Sequence, residues 1–223
     1  MKLPEEVPVM TLPNATLFPQ ALLPLYIFEH RYRKMLVDSL NTNRMFSVAM
    51  QRPGRTREIP STVAGLGLIR VSVGHNDGTS HLVLQGLARV ELAETIRYKP
   101  YRVQKIRAII SPPVNEITVD AMVAKVRELL EERISLGMSF PLPNGSSATA
   151  SDGSAGISGK EILNYLDKLE DPGQITDLVS CALLPGPIER QMILETVNLE
   201  NRLKKLIHFL MAEIDQHRKD NGT

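Results

Sequence analysis

The feature that most constrains this chain is a change of its dominant hydrophobic period near the middle, with one helical stretch inserted before it. Up to Pro112-Pro113, apolar residues recur at about every second position, in short runs broken by proline, glycine and an Asp-Gly pair. Beyond that point they recur every third and fourth position. A period of two lines one face of a strand, and a period near 3.6 lines one face of a helix. A chain that switches once from the first to the second folds as strands followed by helices, an α+β arrangement rather than repeated βα units.

Within the first part, residues 7–12 read as a short strand ending at Pro13-Asn14, and residues 21–28 as a second. Pro24 cannot donate a ladder hydrogen bond, so that second strand belongs at an edge or a bulge. Residues 29–41 turn helical, with Tyr32, Met35, Leu36 and Leu40 on one face. Glu29 suits the positive end of that helix dipole and is placed to pair with Arg33 one turn on. Residues 46–50 form another strand, and a polar loop follows over 51–61. Two long β-patterned runs, 63–73 and 81–93, join around the hairpin signal Asn76-Asp77-Gly78. A last strand over 101–110 completes a small closed or partly closed β-barrel lobe with one inserted helix, spanning 1–115.

The rest, 116–223, reads as a helical-bundle lobe. Val119, Met122, Val123, Val126, Leu129, Leu130 and Ile134 form an apolar stripe on a helix over about 117–137. Residues 143–159 are rich in Ser, Gly and Ala with almost nothing to bury, and read as a flexible tether. Asp171-Pro172 opens a helix, with Asp as cap and Pro in the first turn. Pro185-Gly186-Pro187 breaks the chain again, and Leu199, Leu203, Leu206, Ile207, Leu210 and Ile214 mark a long terminal helix.

Charge and cysteine content narrow the chemistry. Twenty-six Lys and Arg against 25 Asp and Glu leave a net charge of +1, which removes bulk attraction to nucleic acid or membrane and leaves only a local patch to consider. Cys181 is the one cysteine, and among Leu178, Val179, Ala182, Leu183 and Leu184 it reads as inert helix packing. The opening Met1-Lys2-Leu3-Pro4-Glu5-Glu6 lacks the apolar segment of a signal peptide, and the longest apolar stretch, 21–28, is too short to span a bilayer. The cytoplasm is the expected location.

Motifs for catalysis fail on inspection. Gly159-Lys160 resembles the end of a phosphate-binding loop. Yet Ser154 stands where glycine is needed, Gly153 comes one residue early, and Glu161 replaces the Mg²⁺-holding hydroxyl. Gly65-Leu66-Gly67 has Arg70 at the third glycine position of a dinucleotide turn and sits in a β-run, where glycine marks a bulge or corner. His30, His75, His81, His208 and His217 show no metal-ligand spacing, although His75 and His81 flank the hairpin and can face each other. No serine occupies a nucleophile elbow. No enzyme, cofactor or metal site is expected.

One basic run has two readings. Arg97, Lys99, Tyr101, Lys105 and Arg107 share a face if their strand is regular, and bases interleaved with tyrosine are what single-stranded RNA binders present. The alternative is a charged outer strand protected from edge pairing. The near-neutral net charge favours the second and argues against nucleic acid as a partner.

Taken together, the quoted residues resemble the N-terminal domain of Lon proteases. That family opens with a short strand and then carries Leu-Phe-Pro, Leu-Pro-Leu and Phe-Glu-x-Arg-Tyr. The chain has Leu17-Phe18-Pro19, Leu23-Pro24-Leu25 and Phe28-Glu29-His30-Arg31-Tyr32. Gly65, Asp77-Gly78 and Gly86-Leu87-Ala88-Arg89 match its middle, and Asp171-Pro172, Asp177-Leu178, Gln191 to Leu194 and Arg202-Leu203 match its end. The likeness covers about residues 7–217, with departures at Leu66, where threonine is usual, and at the Ser/Gly/Ala insertion. It implies a PUA-like β-barrel followed by a helical bundle. It also implies a non-catalytic module that recognises polypeptides, without the ATPase and Ser-Lys peptidase that follow this domain in full-length Lon. The same domain type occurs in a eukaryotic ubiquitin-ligase receptor. The implied partners are unfolded or damaged polypeptides, a protease or further copies of the chain, and the implied role is an adaptor in protein quality control.

Binding a polypeptide requires exposed apolar surface beside a strand edge or groove. The sequence offers Leu17 and Phe18 in the loop over 13–20, and Glu29, His30 and Arg33 at the helix start. Against this stands a purely structural use, with Phe18 and Phe28 in the core and Glu29–Arg33 as a solvated pair.

Overall fold

A computed structural model describes residues 3–54, 58–138 and 159–222. Strands come first: β1 (Glu6–Leu12), β2 (Leu22–Ile27), β3 (Met45–Met50), β4 (Val63–Gly74), β5 (Ser80–Arg97) and β6 (Arg102–Ala108), with α1 (His30–Leu40) between β2 and β3. Helices follow: α2 (Glu116–Ser135), α3 (Gly159–Leu166), α4 (Pro172–Leu183), α5 (Pro187–Glu195) and α6 (Leu199–Asp220). The change of dominant period near Pro112-Pro113 is thus the change from the strand part to the all-helical part, with α1 as the one helix inserted earlier. The tether expected at 143–159 lies outside the described residues except for Gly159, where α3 begins.

The strands form one sheet in the order β2-β5-β4-β3-β1-β6, antiparallel apart from the β1–β3 pair. With 18 residues, β5 is long enough to take β2 along its first part, β4 along most of its length and β6 along its end. The sheet therefore curls until β6 meets β5 as well as β1, while β2 pairs with β5 alone. Of the two forms expected, closed or partly closed, the sheet takes the second: it curls without forming a closed barrel and leaves β2 outside as a free edge. Pro24 accounts for that position: a proline fits a ladder only where its missing donor faces the open side.

Local chemistry sets the helix boundaries. Asn115, Asp171 and Asn198 cap α2, α4 and α6 by accepting from Thr118, Gly173 and Asn201 backbone N–H groups. Pro172 and Pro187 sit in the first turns of α4 and α5, where a missing N–H costs no intrahelical bond.

Leu17 and Phe18 tie the two halves together. Leu17 packs with Met10, Phe46, Ile69 and Leu84 inside the curled sheet, and Phe18 packs with the helical residues Leu129, Leu183 and Leu203. Their loop lies flat on the sheet, so that a Cβ at Gly65 would overlap the Leu17 carbonyl and one at Gly86 the Phe18 carbonyl. These glycines serve close backbone approach, the use glycine has wherever two main chains must touch. A bulge does fall beside Gly67, in line with the bulge reading of Gly65-Leu66-Gly67.

Candidate functional site

The free edge carries the most apolar exposed surface of the strand half. Alternation along β2 sends Leu22, Pro24 and Tyr26 to one face, and all three are exposed, Leu22 at 59% and Tyr26 at 49%. Phe28, 61% exposed, stacks on Tyr26 with ring centroids 5.9 Å apart. Register extends this face across three strands. Tyr26 lies opposite His81 and His81 opposite Val73; Pro24 lies opposite Val83 and Val83 opposite Val71. Val71 and Val73 are each 53% exposed. The valines reach this face because of a register shift between Ile69 and Val71. Ile69 is buried at 1%, and unbroken alternation would send Val71 and Val73 inward after it; the extra residue turns them outward. The His81 ring also packs against the Tyr26 ring, with centroids 4.7 Å apart, and shares a 2.7 Å hydrogen bond with His75, so these histidines face each other.

Not all of the residues expected to bind lie on this surface. Leu17 and Phe18 are buried at 1% and 0%, so neither can meet a ligand: the loop that carries them is pressed between sheet and helices, and both are corrected to core. Phe28, weighed as a core residue, is instead exposed. Glu29 stands at the N-cap position of α1 without a side-chain cap bond, and pairs with Arg31 at 2.9 Å rather than with Arg33. Arg31 continues to Glu58 at 2.7 Å and lies over the Tyr32 ring. Tyr32 is buried and exchanges hydrogen bonds with the Thr11 main chain at 3.1 Å, and desolvation raises its pKa to about 12. The Phe-Glu-x-Arg-Tyr run is thus mostly a clasp between α1 and β1, with Phe28 left outside. His30 and Arg33 stay near the surface on the other side of α1, lining a groove of about 520 Å³ against the β4–β5 turn.

The basic run does not form the regular face that RNA stacking requires. β5 ends at Arg97 and β6 starts at Arg102, so the run is split between two antiparallel strands, with Lys99 in the turn. Tyr101 is buried at 5% and donates to Asp38 at 2.8 Å, which withdraws its ring from any base. The Arg97 guanidinium lies over that ring, Lys105 pairs with Glu94 at 2.8 Å, and Arg107 pairs with Glu91 at 3.5 Å. The acids of β5 neutralise the bases of β6 across the strand pair, and the alternative nucleic-acid patch at Arg97, Lys99, Tyr101, Lys105 and Arg107 is corrected accordingly.

A buried charged cluster joins sheet to helices. Arg89 of β5 reaches Asp177 of α4 with both terminal nitrogens, one at 2.7 Å, and donates through Nε to the Leu194 carbonyl at 3.1 Å. Arg202 of α6 meets the same carboxylate at 3.0 Å and Ser111 at 3.3 Å. Burial, with the neighbouring Arg89 cation, pulls the Arg202 pKa below its ordinary value. Each of the three residues stands in a motif of the family pattern, but nothing in their spacing, 88 residues from Arg89 to Asp177, announces that they meet.

Among the described residues, no group of three or more His, Cys, Asp or Glu could hold a metal ion, and no helix is long and apolar enough to cross a membrane. Cys181 is partly buried, and desolvation raises its thiol pKa, which opposes nucleophilic use.

Comparison with known proteins is consistent with this arrangement. Residues 6–212 match the model of the ATP-dependent protease La (LON) substrate-binding domain. The chain is 24% identical over 216 residues to Lon protease of Dictyoglomus thermophilum, covering 96% of this chain and 25% of that protein. It is 26% identical over 222 residues to Lon protease 2 of Bdellovibrio bacteriovorus, again covering 96% and 25%. The chain therefore spans about a quarter of the length of these curated relatives. The N-terminal domain of the Mycobacterium avium complex Lon protease superposes with a TM-score of 0.70 at 16% identity, over 92% of this chain and 98% of that one. A Lon N-terminal domain protein from Xanthomonas campestris superposes at 0.53 and 17% identity, with the same coverage.

Proposed function

Because the chain belongs to the LON substrate-binding domain family, we propose that it works as a non-catalytic module that captures unfolded or damaged polypeptides through the outer face of β2. The carrying observation is the exposed stripe of Leu22, Pro24, Tyr26 and Phe28, continued by Val71 and Val73. Water disfavours such a surface, and an extended apolar segment laid across it removes that surface from water without requiring a folded partner. The edge adds main-chain groups for strand pairing, interrupted at Pro24, so apolar contact rather than a full ladder supplies the affinity. In this reading the strands of 1–115 present the surface, and the helices of 116–223 hold the sheet through Phe18 and Arg89. The role is that of an adaptor in protein quality control.

The test is a titration of a fluorescent unstructured peptide and of single-stranded RNA at low and moderate salt. Peptide binding that persists at moderate salt is expected, with RNA binding weak and non-specific. Tight RNA binding with a steep salt slope, lost when Lys99, Lys105 and Arg107 are replaced by Ala, would overturn the reading. The purified chain is also expected to hydrolyse no ATP; activity that followed the protein through every purification step would contradict the non-catalytic assignment.

A further inference from the structure

The groove between α1 and the β4–β5 turn has a chemistry unlike that of the apolar face. Val37, Leu40 and Leu36 form an apolar floor, Ser72 and Ser80 supply hydroxyls, and His30, Arg33 and Lys34 are the charged or ionisable groups that line it; no acidic residue does. The acids nearby are engaged elsewhere. Glu29 is held by Arg31, Asp38 by Lys34 and Tyr101, and Asp77 by hydrogen bonds from the Thr79 hydroxyl and N–H, with the Arg33 charge acting on it only at longer range. Arg33 lies with its guanidinium against Gly78, and among the described residues that guanidinium makes no ion pair or hydrogen bond. A guanidinium beside an apolar floor, with its donors unspent, matches a carboxylate more closely than any other common group, because its fork can donate two parallel bonds.

Register places this groove on the back of the apolar face. Ser80 lies opposite Ile27 and Gly74, and Ser72 lies opposite Leu82, all on the α1 side, whereas Tyr26, His81 and Val73 point the other way. The two surfaces share one strip of sheet only three strands wide. From this geometry, resting on the polypeptide-binding reading above, we infer that the groove is a specificity site for an acidic side chain carried by the bound segment. Arg33 holds the carboxylate, and Val37 and Leu40 take an adjacent apolar residue. Ser80, which lines the groove, lies opposite Ile27 at the end of β2, so a segment that runs along the outer face and continues past that end brings its later residues to the groove. The preferred ligand is an apolar stretch interrupted by Asp or Glu.

Three peptides of identical apolar sequence, capped at both ends and differing only in a central Gln, Glu or Lys, separate the two readings. Binding is followed by fluorescence anisotropy with the intact chain and with Arg33→Gln. The Glu peptide is expected to bind roughly fivefold to tenfold more tightly than the Gln peptide, the size of one partly exposed charge-assisted contact, and the Lys peptide more weakly than either. The preference should vanish in Arg33→Gln and shrink with salt, while the Gln peptide binds both proteins alike. If all three peptides bind the intact chain equally, the groove has no such role and the apolar face stands. If the Glu preference survives in Arg33→Gln, Arg33 is not the recognising group. If no peptide binds, the polypeptide-binding reading falls and this inference with it. Should Arg33→Gln fail to fold, the Glu-to-Gln ratio and its salt dependence in the intact chain still decide.

Discussion

Two regions of this molecule invert the usual placement of charge and apolar surface. At the junction of sheet and helices, Arg89, Asp177 and Arg202 are buried to 7% exposure or less. On the outer face of the β2 edge, Leu22, Tyr26, Phe28, Val71 and Val73 lie in the open. The junction spends ionic groups where leucines would pack. Such clusters rarely add stability over apolar replacements, yet they cost heavily when one member is removed, so they act as a geometric key. The edge leaves hydrophobic groups in water, which gives the fold nothing but keeps a surface ready for a partner. One region is indispensable to the fold and silent in binding. The other is dispensable to the fold and is the surface to which we assign the binding.

The sharpest break in that contrast comes from Asp177. Asp177→Ala leaves two buried arginines without their carboxylate and is expected to cost about 3–5 kcal/mol in urea unfolding. The triple replacement Arg89→Met, Asp177→Leu and Arg202→Leu is expected to recover most of that loss. An unfolding midpoint unchanged in Asp177→Ala would show that the cluster holds nothing together.

A second effect belongs to the clasp between α1 and β1. The Tyr32 hydroxyl titrates at about 12 in the fold against about 10 in an unfolded chain. The folded form therefore holds its phenolic proton more tightly. That contribution is complete below pH 10 and is lost as pH climbs from 10 to 12, amounting to about 2–3 kcal/mol at the upper end. Unfolding free energies measured across that window should fall, and Tyr32→Phe should flatten the decline. An equal decline in the variant would assign the slope elsewhere, Tyr101 being the first candidate because its hydroxyl is also shifted upward by burial.

A smaller effect tests close approach. Gly86→Ala pushes a methyl group against the Phe18 carbonyl and is expected to cost roughly 1–3 kcal/mol by overpacking, read as a lower melting temperature. At the low end, Lys105→Ala with Arg107→Ala removes exposed cross-strand pairs and should leave the melting temperature nearly unchanged. A large drop would mean that the charges of β6 brace the sheet.

Much of this fold was legible from period and punctuation. The switch near Pro112-Pro113, the Asn76-Asp77-Gly78 turn, Pro24 at an edge and the Asp171-Pro172 helix start all rest on local backbone rules that tertiary packing did not override. The site was less legible, and the reasons are physical. Leu17 and Phe18 look like an exposed apolar loop because a sequence does not show that glycines 86 and 65 let that loop sink onto the sheet. Val71 and Val73 look like core because alternation carries them inward after Ile69, and one register shift reverses both. The partnership of Arg89 with Asp177 depends on two elements that meet only when the halves close. The available signal for the face was Leu22, Pro24, Tyr26 and Phe28 at even spacing in a strand that proline confines to an edge. Read with that edge position, the even spacing marks an apolar row with no neighbouring strand to cover it.

The most direct test of the contrast is the double substitution Tyr26→Ser with Phe28→Ser, assayed for both unfolding and binding. Because Tyr26 is about half exposed and Phe28 more so, stability should change by no more than about 0.5 kcal/mol. Affinity for an unstructured apolar peptide should fall roughly tenfold or more, corresponding to about 1.4 kcal/mol or above of lost apolar burial. Binding undiminished in a variant that folds normally would contradict the assignment of polypeptide capture to the β2 face.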